Sequence, residues 1–329
     1  MTPPDNSTKP ISRARINVSI INYRTAELTL QCVRSVLEDG SQVQYMVTIV
    51  DNASGDGSVD KLRGFIASLP DPKRVQLVAS ETNSGFSGGH NQGIAACEAA
   101  YHLVLNSDAV LKPGFLDAIL ATAEAHPECG LIAPRIEYDD GTRQISCFRF
   151  PTPKSELIRG AATGPITRLL RSRDVPLDNP PDPTQVEWAS FACILLRDDM
   201  IRQIGPMDEG YFLYFEDVEY SWRARQAGWR ICLAPEACAV HFRGGSGPVK
   251  ASQAARKRLP AYYYASRTRV FYKMHGRAGL LMANLMWHLG RGIAHLRRLV
   301  GKPVPPATAQ EARDIWINVL TPLGDRRDS

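Results

Sequence analysis

Continuous β-branched runs, each followed by a helical stretch, constrain this chain more than any other feature. Residues 16–23 (INVSIINY), 45–50 (YMVTIV) and 75–79 (VQLVA) are apolar with little alternation, so they read as strands buried on both faces. Between them, residues 26–38 and 58–68 space their apolar side chains as helices do. This β-α-β-α-β order predicts an α/β fold: a Rossmann-like, mainly parallel central sheet with helices on both faces. Ligands of such sheets sit beyond the carboxyl ends of the strands. Tyr23 stands at the first such end, and Asp51 and Asn52 at the second. A carboxylate at Asp51 can accept the imide N–H of a uracil or thymine ring, or it can close an Asx turn.

Further along, residues 81–94 (ETNSGFSGGHNQGI) are glycine-rich and precede a helix read at 95–102. Such a stretch lets backbone amides approach a diphosphate. It is neither a P-loop nor the G-x-G-x-x-G fingerprint. Residues 103–111 (LVLNSDAVL) then bring Asn106 and Asp108, spaced i and i+2, to one side of an extended chain. Oxygen ligands in that position suit Mg2+ or Mn2+. Residues 113–126 read as a helix, 131–137 as a strand, and 139–184 as an irregular, arginine-rich loop ordered by substrate. Residues 186–197 read as a strand carrying Glu187 and Trp188, whose aromatic face suits a sugar ring or the core equally. Last, residues 210–246 open with an aromatic run and three acids, Glu216, Asp217 and Glu219. They continue as a helix to Gly228 and return His241 and Arg243 before a Gly/Ser stretch. Carboxylates at the mouth of a helix with a histidine brought back can serve proton transfer and metal binding, or the acids can simply complement the helix dipole.

Taken in order, Tyr at a strand end, VDNASGDGS, NSGFSGGHNQGI, LNSD and FEDVEYSWR resemble the inverting family-two glycosyltransferases of GT-A fold. The resemblance spans about residues 16–246 and is nearest to the rhamnosyltransferase-like branch that builds bacterial cell-surface polysaccharide. It implies a nucleotide-diphosphate sugar donor, with dTDP-rhamnose ahead of a UDP-sugar, and a glycan or lipid-linked glycan acceptor. It implies that Tyr23, Asp51, Asn52, Asn83, Gly85, Asn91 and Asn106 bind the nucleotide sugar. Asp108 and His241 would hold the divalent ion, and Asp217 would be the catalytic base. Glu187, Trp188 and Glu216 would meet acceptor or donor sugar, and Glu219 would be a helix-dipole acid. Asn106 stands where the strict motif has Asp, and Phe191 where the family commonly has Gly. A sugar nucleotidyltransferase would need a glycine-rich basic loop near the N-terminus, and residues 16–27 hold no glycine. A non-catalytic nucleotide-sugar or glycan binder would have less reason to keep Asp108, Asp217 and His241 together.

Charge divides the chain. Residues 250–302 hold twelve Lys/Arg and no Asp/Glu, whereas residues 1–249 sum to −6. The expected organisation is a flexible tail (1–14), a GT-A catalytic domain (15–249), a basic aromatic helical segment (250–302) and a C-terminal tail (303–329). The apolar run at 278–289 is twelve residues, short of the roughly 20 that span a bilayer. With arginines following it, the run suits an interfacial helix on an anionic membrane, or packing on the catalytic domain or a subunit. No nucleic-acid-binding fold accompanies the charge, and nothing speaks to oligomeric state. The N-terminus has no signal-peptide core, and the seven cysteines are scattered without a CxxC pair. A disulfide or zinc framework is therefore not expected, and the expected location is cytoplasmic, peripheral on the inner face of the membrane.

Overall fold

The computed structural model describes residues 14–242, 252–253 and 255–327; Arg243, the Gly/Ser stretch after it and residues 1–13 of the expected tail lie outside them. The apolar runs form an eight-stranded sheet in the order β3-β2-β1-β4-β9-β6-β10-β5. Its first half is parallel: β1 (Ala14–Asn22), β2 (Tyr45–Asp51), β3 (Val75–Ala79) and β4 (Ala99–Asn106). Strand β9 (Cys193–Arg197) runs antiparallel between β4 and β6 (Cys129–Glu137). The long β10 (Arg230–His241) pairs parallel with β6 and antiparallel with the short β5 (Ala109–Leu111). β-Branched residues give the central strands their continuous burial, with Ile16, Val18, Ile20, Val47 and Ile49 at 0% exposure.

One face is covered by α1 (Ala26–Leu37), α2 (Ser58–Ser68) and α4 (Phe115–Ala125), which share one core with the sheet. The other face packs Phe86 and Ile94 of α3 (Gly85–Ala95), Met200 and Ile201 of α7 (Asp198–Ile204), and Tyr220 and Ala224 of α8 (Glu216–Gln226). Two expectations change here. The glycine-rich stretch is itself the helix α3, and Ala99–His102 belongs to β4. Gly93 shows why: a Cβ there would strike the Ser19 hydroxyl of β1, so glycines let the helix lie close on the sheet. The strand read over 186–197 is also split, into β8 (Trp188–Ala189) and β9. β8 pairs with β7 (Cys147–Phe148) in a separate two-stranded ribbon.

The region 139–184 is more ordered than its composition suggests. It contains α5 (Pro153–Ala161), opened by a Thr152–Ser155 capping box, and the short α6 (Gly164–Leu169). Helix α5 is the seat of the long C-terminal helix α9 (Ala261–Leu296), which bends at Gly276 (φ 67°). Gly160 and Gly290 let the two backbones touch, since a Cβ at either would strike the other helix. Arg267 is buried in this seam and donates to Glu156 and Asn284, each at 2.7 Å. Burial alone would raise the Glu156 carboxyl, but Arg159 and Arg267 hold it down at about 2. Much of the basic segment therefore packs on the α/β body that precedes it.

One cysteine expectation is overturned. Cys129, at the start of β6, is joined by a disulfide to Cys232 of the parallel neighbour β10, their Cα atoms 5.9 Å apart. The partners are 103 residues apart in sequence, so strand pairing, not spacing, brings them together.

Candidate active site

A cavity of about 460 Å³ opens at the carboxyl ends of β1 and β4. Tyr23, Asn52, Asn83, Gly85, Asn106, Trp188, Glu216, Asp217 and His241 line it, so most of the residues singled out in sequence converge on one space. Asp51, Asn91, Asp108 and Glu187 are not among its lining residues, for different reasons.

Asp51 is buried at the end of β2. Its Oδ1 accepts from Asn22 Nδ2 (2.7 Å) and Ser54 Oγ (2.6 Å), and its Oδ2 from the Ser54 amide (3.1 Å). That geometry is a closed turn of the Asx kind. Asn52 faces the cavity with its side chain fully engaged: Nδ2 donates to Asn83 Oδ1 and Gly85 O, and Oδ1 accepts from the amide and hydroxyl of Ser84. It shapes the turn that starts α3. Asn91 clasps Met207 in both directions, accepting from its amide (3.0 Å) and donating to its carbonyl (2.9 Å). Glu187 caps the Phe150 amide. Gly85 must be glycine twice over, with φ +74° and the Phe212 carbonyl where a Cβ would stand.

The Asp108–His241 pair follows from the antiparallel pairing of β10 with β5, in which His241 lies opposite Ala109. His241 Nε2 sits 3.2 Å from Asp108 Oδ1, the imidazole on the cavity wall and the carboxylate buried behind it. Asn106 lines the same wall. A carboxylate oxygen and an imidazole nitrogen this close are two ligands that a divalent transition metal such as Mn2+ accepts, whereas Mg2+ favours oxygen ligands.

Across the cavity, the loop 210–215 delivers the acid pair. Tyr214 and Phe215 both have positive φ (72° and 70°) immediately before Glu216. Bulky residues held there cost of order 1–3 kcal/mol each, and such strain collects at functional sites. Burial pushes the Glu216 carboxyl well above its usual range, and the neighbouring Asp217 charge pushes it further. Glu216 Oε2 has no hydrogen-bond partner among the described residues. Burial also raises Asp217, to about 7, against the pull of the Val218 and Phe191 amides. Two adjacent carboxyls in one buried site share their ionisation, so the pair holds a proton near neutral pH. Glu219 lies in the first turn of α8, where a helix-dipole acid is expected, and it is buried and paired there. It is 1% exposed and bonds Arg223 and Lys273.

Sequence reading missed much of the aromatic wall. Phe148 stacks on Trp188 with ring centroids 4.2 Å apart, and Phe212, Tyr214 and Tyr262 complete that side. Tyr262 comes from α9, in a segment read as a membrane-interfacial or packing helix and not as part of the site. His90 also lines the cavity, with Nδ1 2.9 Å from Ser19 Oγ; burial lowers it to about 3, so it is a neutral imidazole. Its place inside the glycine-rich motif was the available signal.

Among solved structures, the mannosyltransferase PcManGT from Pyrobaculum calidifontis, in complex with GDP-Man and Mn2+, superposes with a TM-score of 0.55 at 15% identity. The match covers 98% of this chain and 85% of that one. A likeness at that identity is one of fold, and the shared fold is the GT-A fold. Sequence carries the assignment further. Residues 18–172 match the family model Glycosyl transferase family 2. An N-acetylglucosaminyl-diphospho-decaprenol L-rhamnosyltransferase of Mycobacterium tuberculosis is 30% identical over 273 residues, 76% of this chain and 81% of its own. A rhamnosyltransferase of Escherichia coli K12 is 28% identical over 198 residues, 56% and 72% of the two chains. The chain belongs to glycosyl transferase family 2.

Proposed function

We propose that this protein is an inverting rhamnosyltransferase that moves rhamnose from dTDP-rhamnose to an N-acetylglucosaminyl-diphospho-polyprenol. The observation that supports it most is the placement of Asp217, with a carboxyl near 7, in one cavity with His241, which Asp108 backs. The relative that acts on N-acetylglucosaminyl-diphospho-decaprenol supports the choice of acceptor. In a single displacement, an acceptor hydroxyl attacks the anomeric carbon while Asp217 takes its proton. The bond from that carbon to the diphosphate oxygen breaks, the nucleoside diphosphate leaves, and the configuration inverts. Glu216 keeps the shared proton of the pair, leaving Asp217 as the ionised base. Asn83, Gly85 and Asn106 line the donor side, and Tyr23 offers a 40% exposed ring for the base. Asp108 and His241 would hold Mg2+ or Mn2+, which neutralises the diphosphate when bound. Trp188 and Phe148 present stacked rings to a sugar.

The same reading includes a docking face on an anionic membrane. On the second half of α9, Leu281, Met282, Leu285, Leu289 and Leu296 are 44–61% exposed at helical spacing, with Arg297 and Arg298 beside them. No helix among the described residues is long and apolar enough to cross a membrane. An apolar stripe with basic neighbours suits the lipid interface. Deleting residues 278–329 would strip α9 from α5, so Leu285→Asp with Leu289→Asp is the cleaner probe. Loss of sedimentation with phosphatidylglycerol vesicles is expected, and unchanged sedimentation would refute the face. The transfer itself is tested by incubating the protein and Mn2+ with dTDP-rhamnose or UDP-sugars and a short-chain N-acetylglucosaminyl-diphospho-prenol. Product from dTDP-rhamnose with inverted configuration is expected; product from a UDP-sugar alone would replace the donor.

A further inference from the structure

The strained loop before Asp217 is bracketed by two acids that a single lysine joins. Asp208 precedes the loop, and Glu219 follows Asp217 by two positions in the first turn of α8. Lys273 Nζ, from α9, donates to Glu219 Oε1 at 2.7 Å and also to Asp208. Arg269, one turn earlier on α9, lays its guanidinium on both oxygens of Asp208 at 2.9 and 3.0 Å. Between the brackets, Ser266 Oγ donates to the Leu213 carbonyl, and Tyr262 and Tyr263 pack against Phe212, Tyr214 and Phe215. Every one of these holding groups is on the first half of α9, beyond the region the family model matches.

A loop with two bulky residues at positive φ stays in place only when its surroundings over-determine it. Here the ammonium reaches acids on both sides of the loop, and Glu219 already has Arg223. We infer that Lys273 is a positioning residue for Asp217: its ammonium ties Asp208 to Glu219 and so sets where the 210–217 loop places the base, with Arg269 fixing the Asp208 end. The inference rests on Asp217 being the base, as proposed above.

Hydrogen exchange read by mass spectrometry on the full-length protein tests the clamp without any substrate, and steady-state kinetics tests its consequence. In Lys273→Met, amides of residues 210–217 should exchange about tenfold faster while those of β1, β2 and β4 keep their rates. In the same variant kcat should fall about 10²-fold, with donor KM within about twofold. Lys273→Arg should restore most of both. Loop exchange at the wild-type rate, faster exchange spread equally over the sheet, or a loosened loop with unchanged kcat would each overturn the inference. If Lys273→Met does not accumulate folded, Asp208→Asn keeps every cation and removes one bridged acid. The same pattern is expected at smaller size, and unchanged loop exchange there counts equally against the clamp. Absence of wild-type turnover with every donor tried would refute the transferase reading, whereas the exchange arm decides the clamp by itself.

Discussion

The two walls of the cavity are built in opposite ways. Behind the proposed donor wall, Asn22, Asp51 and Ser54 bond one another, as do Asn52, Asn83 and Ser84, within two adjacent strand ends and the turns that follow them. Polar side chains there are largely spent on one another and on the turns, and a few spare groups are what a nucleotide would meet. On the catalytic wall, local bonding is sparse. The loop before Asp217 runs through unfavourable backbone angles and is held by cations 54 to 65 positions away. A binding surface can be rigidified by its own turn, but a base that must reach a transient proton is aimed by the tertiary structure.

Substitutions should therefore separate. The largest effect is expected at the proposed base: Asp217→Asn should lower kcat by about 10³-fold or more, while calorimetry should find donor binding nearly unchanged. Equal loss of binding would mean that Asp217 belongs to the donor wall. Next, Gly85→Ala meets both the positive φ and the Phe212 carbonyl, so donor KM should rise more than kcat falls; the reverse split would erase the contrast. In the seam that carries the C-terminal helix, Glu156→Gln leaves Arg267 and Arg159 without their shared carboxylate. Denaturant unfolding should show a loss of about 3–5 kcal/mol. The two carboxyls are displaced in opposite directions, yet activity and stability both fall as pH falls, in separate windows. Asp217 is raised to about 7, so kcat/KM should fall about tenfold per unit below that value and level off above it, as read from a rate profile. Glu156 is depressed from 4.5 to about 2, so its contribution to stability is present above about 4.5. It is lost as pH falls toward 2, which acid unfolding of wild type against Glu156→Gln would show as a gap that closes. The smallest change is expected at Asn91→Ala. Losing its clasp on Met207 should cost about 1–2 kcal/mol of stability with little change in donor KM.

Legibility followed the same division. Strands β1 and β2 were readable almost to the residue because burial on two faces leaves a nearly continuous apolar run, β3 from its short β-branched run, and helices α1 and α2 from the spacing of their apolar residues. The glycine-rich stretch misled: glycine propensity argues for a loop, yet close contact with Ser19 and Ile21 of β1 is what requires glycine within α3. Trp188 faces the cavity, one of the two placements its residue type left open, while Glu187, one position away, turns to the Phe150 amide, as alternation along an extended chain requires.

By itself, then, the sequence determined the sheet, the strand ends where a donor would lie, and the acid pair at the mouth of α8. These depend on period, propensity and order along the chain, which are local. Only the tertiary structure decided which polar groups are spent on the scaffold and which face the cavity. It also joined Cys129 to Cys232, set Tyr262 in the cavity wall and brought Lys273 to the acids around Asp217. The physical reason is that a side chain's free hydrogen-bonding capacity and its ion partners are properties of the space around it. In this fold that space is filled by residues far away in the chain.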